Sequence, residues 1–296
     1  MNTLFRISFF LIISTSAYSQ FRFPQRTYFS IGGGSSAYFG DLSPYRSPLR
    51  GIAKTLDRNI QIEFGQDIVE RWSHSYRLSF IQLRGDDFSY GKNQQNLVRN
   101  LHFKNNIIEA SFLQNLMLSP YYDLYNRERP NFIPYLSIGV GLIYHSPKAK
   151  TPVNNGNDIN QEWVSLSKLG VAGKKYFPIM PVLPLAIGFR KKLSHNIDFK
   201  FDLNFRITST DYLDDVSDEP YLSRNSFNSD LAYQLHNRSN EETEALNLNS
   251  RTEILTENKS SIPVKGSRGT KGVVSFMDSY LTSSFSFQFW LDRRIR

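Results

Sequence analysis

The chain has 296 residues, no cysteine, a net charge of +8 and a sequence pI near 9.5, so disulfides and a cysteine-borne lipid anchor are excluded. Phe (23) and Tyr (16) are abundant, yet only 40% of residues are hydrophobic and mean hydropathy is −0.40, a poor recipe for a soluble core. Many aromatics amid many polar residues suit strands with one face in lipid and the other in a polar interior. The basic residues do not cluster with stacking aromatics on a nucleic-acid module, so the expected partners are anionic lipid and lipopolysaccharide rather than nucleic acid, with a plain solvated surface the equal alternative for the charge.

The chain opens with a positively charged start, the apolar run Ile7 to Ile13, and small residues at Ala17-Tyr18-Ser19. This order predicts a signal peptide over residues 1–19, cleaved before Gln20. No later stretch approaches the roughly 18 consecutive apolar residues of a membrane-spanning helix. Residues 20–296 are therefore expected to form one unit.

Alternation with period two then recurs along the chain, placing successive side chains on opposite faces. In Arg26 to Phe39, the residues Phe29, Ile31, Ala37 and Phe39 share a face opposite Tyr28, Ser30, Gly32, Gly34 and Ser36. Weaker strands are expected at Asn59–Gly65, Tyr76–Leu83, Asn106–Leu116 and Val182–Phe189. Between them, Leu136, Ile138, Val140, Leu142 and Tyr144 alternate with Tyr135, Ser137, Gly139 and Gly141. The clearest case runs from Asn196 to Thr208, with Ile197, Phe199, Phe201, Leu203, Phe205 and Ile207 against Asp198, Lys200, Asp202, Asn204 and Arg206. Near the end, Phe285, Phe287, Phe289 and Leu291 alternate with Ser284, Ser286 and Gln288.

These segments predict an all-β, antiparallel, up-and-down transmembrane barrel of eight strands in the outer membrane. The connections alternate accordingly. Arg71 to His74 and Lys191 to His195 are short turns, and Tyr121 to Pro130 is a medium link. The long links are 41–57, 84–101, 146–181 and 211–279. Short turns are expected on the periplasmic side and long loops outside the cell. Within the last link, about 212–278, the polar stretch from Ser223 to Gly272 is expected to be mobile or only partly ordered, with a separate folded domain as the alternative.

No catalytic or cofactor motif stands out, and no enzyme activity is expected. Gly32-Gly33-Gly34 precedes no helix, and the five histidines lack metal-ligand spacing. His145 beside Ser146 is the one pair that suggests a barrel hydrolase. The acidic tract Asp211, Asp214, Asp215, Asp218 and Glu219 has oxygen ligands in number, but neither glycine nor spacing of a calcium loop. A solvated loop mouth or a partner-docking edge is the plainer expectation, with no metal.

Three segments carry a resemblance: Gly33 to Leu42 (GGSSAYFGDL), Asn100 to Ala110 (NLHFKNNIIEA) and Ser209 to Ser217 (STDYLDDVS). Together they resemble the family of small outer-membrane barrels that includes the PorG component of the type IX secretion system, the gliding-associated export machine. The resemblance implies that Phe39, Gly40, Asp41, Leu42, Asn106, Glu109, Asp211, Tyr212, Asp214 and Asp215 form a structural or partner-binding motif. It also implies periplasmic secretion-ring proteins as partners. Nothing in the polar stretch after Tyr221 matches it. A carboxylate inside a narrow barrel needs a partner, so Glu109 is expected to pair with Arg77 or Arg206. The alternative role is a general structural or adhesive barrel that displays its last loop.

Overall fold

The computed structural model describes residues 26–43, 55–69, 71–87, 99–119, 130–152, 161–217, 219–239, 268–269 and 277–291. The signal-peptide segment 1–19 lies outside these residues. Ten strands follow one another: β1 (Thr27–Phe39), β2 (Asp57–Val69), β3 (Trp72–Asp86), β4 (His102–Met117), β5 (Phe132–Tyr144), β6 (Pro147–Lys150), β7 (Trp163–Ser165), β8 (Ile179–Lys192), β9 (Ile197–Thr208) and β10 (Ser279–Trp290). Two short helices are α1 (Leu166–Leu169) and α2 (Asp230–His236).

Eight strands pair antiparallel in the order β3-β2-β1-β10-β9-β8-β5-β4, and the β3–β4 pairing closes the ring. Closure leaves no free edge, as an apolar solvent demands of backbone groups. The remaining pair, β6 and β7, forms a hairpin beyond the ring: Lys104 and Asn105 of β4 pair with Lys148 and Pro147 of β6. Sequence alternation does not reveal this hairpin because its strands are too short to show a period.

The ring strands overrun the expected bounds. Trp72, Ser73 and His74 belong to β3 rather than to a turn, which makes the β2–β3 connection tighter than expected. Such strands are ample for the nine to eleven residues or so that a tilted membrane strand needs.

The two faces separate as the alternation requires. Ile60, Phe64, Leu78, Ile108, Ile138, Val140, Phe285 and Phe287 stand exposed on the outer wall. Tyr28, Glu63, Arg77, Glu109, Lys200, Asp202 and Arg206 are buried inside. Gly65 and Gly188 make room for the large interior rings: a Cβ on either would collide with Tyr28 or Tyr135. Two apolar layers bracket the charged centre. Tyr28, Met117, Ile133, Tyr135 and Trp290 close the short-turn end, and Leu42, Ile81, Leu101, Phe103 and Ile107 lie toward the long-loop end.

Candidate functional site

An eight-stranded ring has an interior just wide enough for side chains to fill, and here they fill it with charge pairs. Glu63 accepts from Arg77 (Nε 2.9 Å, Nη2 2.6 Å), from Lys200 (Nζ 2.8 Å) and from the Tyr28 hydroxyl (3.0 Å). Arg77 also reaches Asp202 at 3.5 Å, and Asp202 accepts from the Tyr135 hydroxyl. The Arg190 guanidinium lies over the Tyr28 and Tyr135 rings, 5.0 and 5.5 Å from their centroids. These contacts run from β2 and β3 across to β9, so they brace opposite walls. Higher up, Arg206 Nε and the Tyr280 hydroxyl both donate to Glu109 Oε2, at 3.0 and 2.8 Å.

Glu109 thus faces the interior and pairs with Arg206, one of its two expected partners. Arg77 is the correction. Its carboxylate is Glu63, directly opposite in the β2–β3 register, whereas the residue facing Glu109 across β3–β4 is Ser79. Glu63 escaped notice because its own strand is only weakly periodic in sequence.

Above the interior, the long connections knit into a cap. Arg99 donates to the Asp87 carboxylate through Nε (2.8 Å) and Nη2 (2.6 Å), to the Asp41 carbonyl (2.9 Å) and to the Arg268 carbonyl (2.7 Å). One guanidinium therefore ties together the first, second and fourth long connections. The third joins through Arg238, which donates to the Lys150 carbonyl at 2.7 Å. It joins again through a small apolar cluster of Ala149, Leu166, Val171, Phe227, Ala232 and Leu235. Helix α2 completes this cluster, and its N-terminus is capped by Ser229 Oγ, which accepts from the Ala232 amide at 3.1 Å. Residues 223–239 are therefore built and packed, although their polar composition suggested otherwise. Of the rest of that stretch, 240–267 and 270–272 lie outside the described residues.

The acidic tract turns inward instead of facing solvent, which corrects the expectation of a solvated mouth. Asp214 and Asp215 are buried, and Asp211 and Tyr212 are half-buried. Asp218 lies outside the described residues. The Tyr38 hydroxyl stands 2.7 Å from Asp214 Oδ2 and 2.6 Å from Asp278 Oδ1. A phenol has one proton to donate, so the second close contact requires a proton on one carboxyl. Burial, with Asp41 and Asp211 nearby, pushes Asp214 well above the usual carboxylate range; burial and Asp214 do the same to Asp278. Burial raises Asp215 to about 6 against the opposing pull of Arg268, and its carboxylate accepts from the Tyr176 hydroxyl at 2.8 Å. Tyr176 in turn stacks on Tyr212, ring centroids 4.8 Å apart.

The glycine of the aromatic–Gly-Asp-Leu turn has a reason in this geometry. A Cβ on Gly40 would overlap the Tyr38 hydroxyl and the Asp278 carboxylate. Leu42 is buried in the upper apolar layer, Asp41 offers its carbonyl to Arg99, and Phe39 points outward beside Phe205. Asn106 also faces outward and accepts from Gln82 Nε2 at 3.1 Å. Sequence reasoning missed Tyr38, Asp87 and Asp278, which lie in unpatterned connections or at strand ends.

His145 does not form a nucleophile pair. Ser146 Oγ lies 3.1 Å from Ser165 Oγ, while the imidazole stacks on Tyr176 and burial pushes its pKa down to about 4. Among the described residues, no group of three or more His, Cys, Asp or Glu is arranged to hold a metal ion.

A closed eight-stranded antiparallel ring, apolar outside and charged inside, is the architecture of an outer-membrane β-barrel. No protein-family model matches the sequence, and neither does any curated protein. Among solved structures, the chain is similar to Neisserial surface protein A (8% identity, TM-score 0.38, covering 89% of this chain and 96% of that one). It is likewise similar to Ail, the attachment invasion locus protein of Yersinia pestis (9% identity, TM-score 0.37, covering 90% and 99%).

Proposed function

We propose that the protein is a non-enzymatic barrel of the bacterial outer membrane. In this reading its short turns and N-terminal segment anchor periplasmic parts of the type IX secretion machinery. One observation carries the reading: the three segments that resemble the PorG-like family, far apart in sequence, meet in the cap. Tyr38 of the first bonds Asp214 of the third, Asn105 Nδ2 of the second donates to the Leu213 carbonyl at 2.7 Å, and Arg99, which precedes the second, donates to Asp41 of the first. Tyr38, Arg99, Asn105, Leu213 and Asp214 are buried, so the junction is a structural knot that accounts for three separated segments resembling one family together. The filled interior argues against diffusive transport as the task.

The test is purification of the tagged protein from outer membranes under mild detergent, alongside export assays in a deletion strain. Co-purifying periplasmic ring proteins and a loss of export are expected. Recovery alone, with normal export, would dismiss the secretion role. Loss of surface binding on deletion of residues 240–267, with export intact, would favour an adhesive barrel that displays its last loop.

A further inference from the structure

At the long-loop end, the charges that the described residues place on the outer wall gather in one sector. In register across three paired strands, Arg84 of β3 faces Lys104 of β4, and Lys104 faces Lys148 of β6. Arg58 of β2 stands beside them, donating to Gln82 Oε1 at 2.6 Å, and Gln82 faces Asn106 across β3–β4. Arg58, Arg84 and Lys148 are exposed, and Lys104 is half-buried. Directly opposed like charges destabilise a sheet, and two such oppositions stand side by side here. Arg84 has Asp57 at 3.9 Å, with the Arg84 side chain more than half exposed. Among the described residues, Lys104 and Lys148 form no ion pair.

The row has a defined height. Beneath it the same strands present Ile60, Phe80 and Ile108, all exposed. From Phe80 to Arg84 is four residues, about 13 Å along a strand and about 10 Å in height at a tilt of roughly 40°. Cationic side chains long enough to bend back toward the apolar belt thus sit level with the headgroup layer. The outward positions at this level on other strands are uncharged: Phe39 on β1, Tyr144 on β5, Ile179 on β8, Ile207 on β9 and Ser279 on β10. A general attraction to the membrane would not concentrate cations on one side. The β6–β7 hairpin exists beyond the ring, and it is what adds Lys148 to the row.

The geometry points to a binding site on the outer wall, at Arg58, Arg84, Lys104 and Lys148, for the phosphorylated headgroup of an outer-leaflet glycolipid. Strands lie about 4.8 Å apart, so the three-strand row spans about 10 Å, enough for one headgroup to touch several cations. Arg84 supplies a guanidinium fork suited to phosphate, and the lysines supply point charges. The site rests on the outer-membrane reading but not on the secretion role.

The test uses the full chain purified in a zwitterionic detergent and titrated with diphosphorylated lipid A, with native mass spectrometry as readout. The combined variant Arg84→Gln, Lys104→Gln, Lys148→Gln is expected to bind at least tenfold more weakly. Lys191→Gln with Lys192→Gln, at the opposite rim, is expected to match the unsubstituted protein. In lipid-free detergent the triple variant should melt at the same temperature or higher, because relief of like-charge repulsion outweighs the loss of the solvent-exposed Arg84–Asp57 contact. Wild-type affinity in the triple variant would overturn the proposal. So would inorganic phosphate that competes as well as lipid A at equal concentration, since the site would then be one for free anions. Normal or defective export in the same strains bears on the secretion role alone.

Discussion

At the scale of the residue, the Tyr38–Asp214–Asp278 contact makes the cap sensitive to pH. A carboxyl whose pKa rises on folding supports the folded state fully below its unfolded value, about 4, and withdraws that support as pH rises through the folded value. Asp214, Asp278 and Asp215 all shift this way, and the share from Asp215 falls away between about 4 and its folded value of about 6. Glu219 shifts the other way, held low by Lys174, and acts only in more acid solution. Limited proteolysis of the long connections should therefore proceed faster at pH 8 than at pH 5. Asp278→Asn imitates the protonated acid. Its carbonyl can still accept from the Leu213 amide, now 2.9 Å from Oδ2, and its amide can donate to Tyr38. That variant should keep the cap closed and flatten the pH dependence; an unchanged pH profile would show that the pair does not govern closure.

The Glu109–Arg206 pair yields a second prediction at this scale. Glu109→Gln leaves a fully buried guanidinium without its counter-charge, which typically destabilises by about 3–5 kcal/mol. Urea unfolding in lipid vesicles should show that loss, and Glu109→Leu with Arg206→Met should recover more than half of it.

At the scale of the element, α2 and the β6–β7 hairpin form a small subdomain above the ring. Ser229→Ala removes the one side-chain cap of α2 and should destabilise that helix by about 1 kcal/mol. Amide exchange over residues 230–236 should quicken, with the barrel strands unaffected, because the third apolar cluster lies outside the ring. The eight ring strands were legible because alternation is a local signal, plain in four of them and weaker in the other four, where the two faces were harder to read. The β6–β7 hairpin and α2 were not legible, being four, three and seven residues long, shorter than any period can establish. Their order comes from Leu235, Ala232 and Phe227 finding Leu166 and Val171 across the cap.

At the scale of the whole molecule, charge pairs brace opposite walls and two apolar layers close the ends, so the ring is a solid post. Reconstituted in planar bilayers, the protein should show no steady conductance. A steady ion current from well-folded protein would contradict the filled interior. Substitution of Glu63, Arg77 and Lys200 together by alanine should admit water and produce intermittent current, if the ring survives the loss.

The amino-acid order by itself determined the eight strands, which face of the four clearest meets lipid, and the inward placement of Glu109, because the side-chain period of a strand needs no partner to be read. Tertiary structure alone decided the pairings. Arg77 meets Glu63 because β2 and β3 settle into one register, and Asp214 meets Tyr38 and Asp278 because the ring closes and brings the start of β10 beside the end of β1. The acidic tract reads as a solvated loop in one dimension. It becomes a buried, proton-sharing junction only when closure of the barrel takes it out of water.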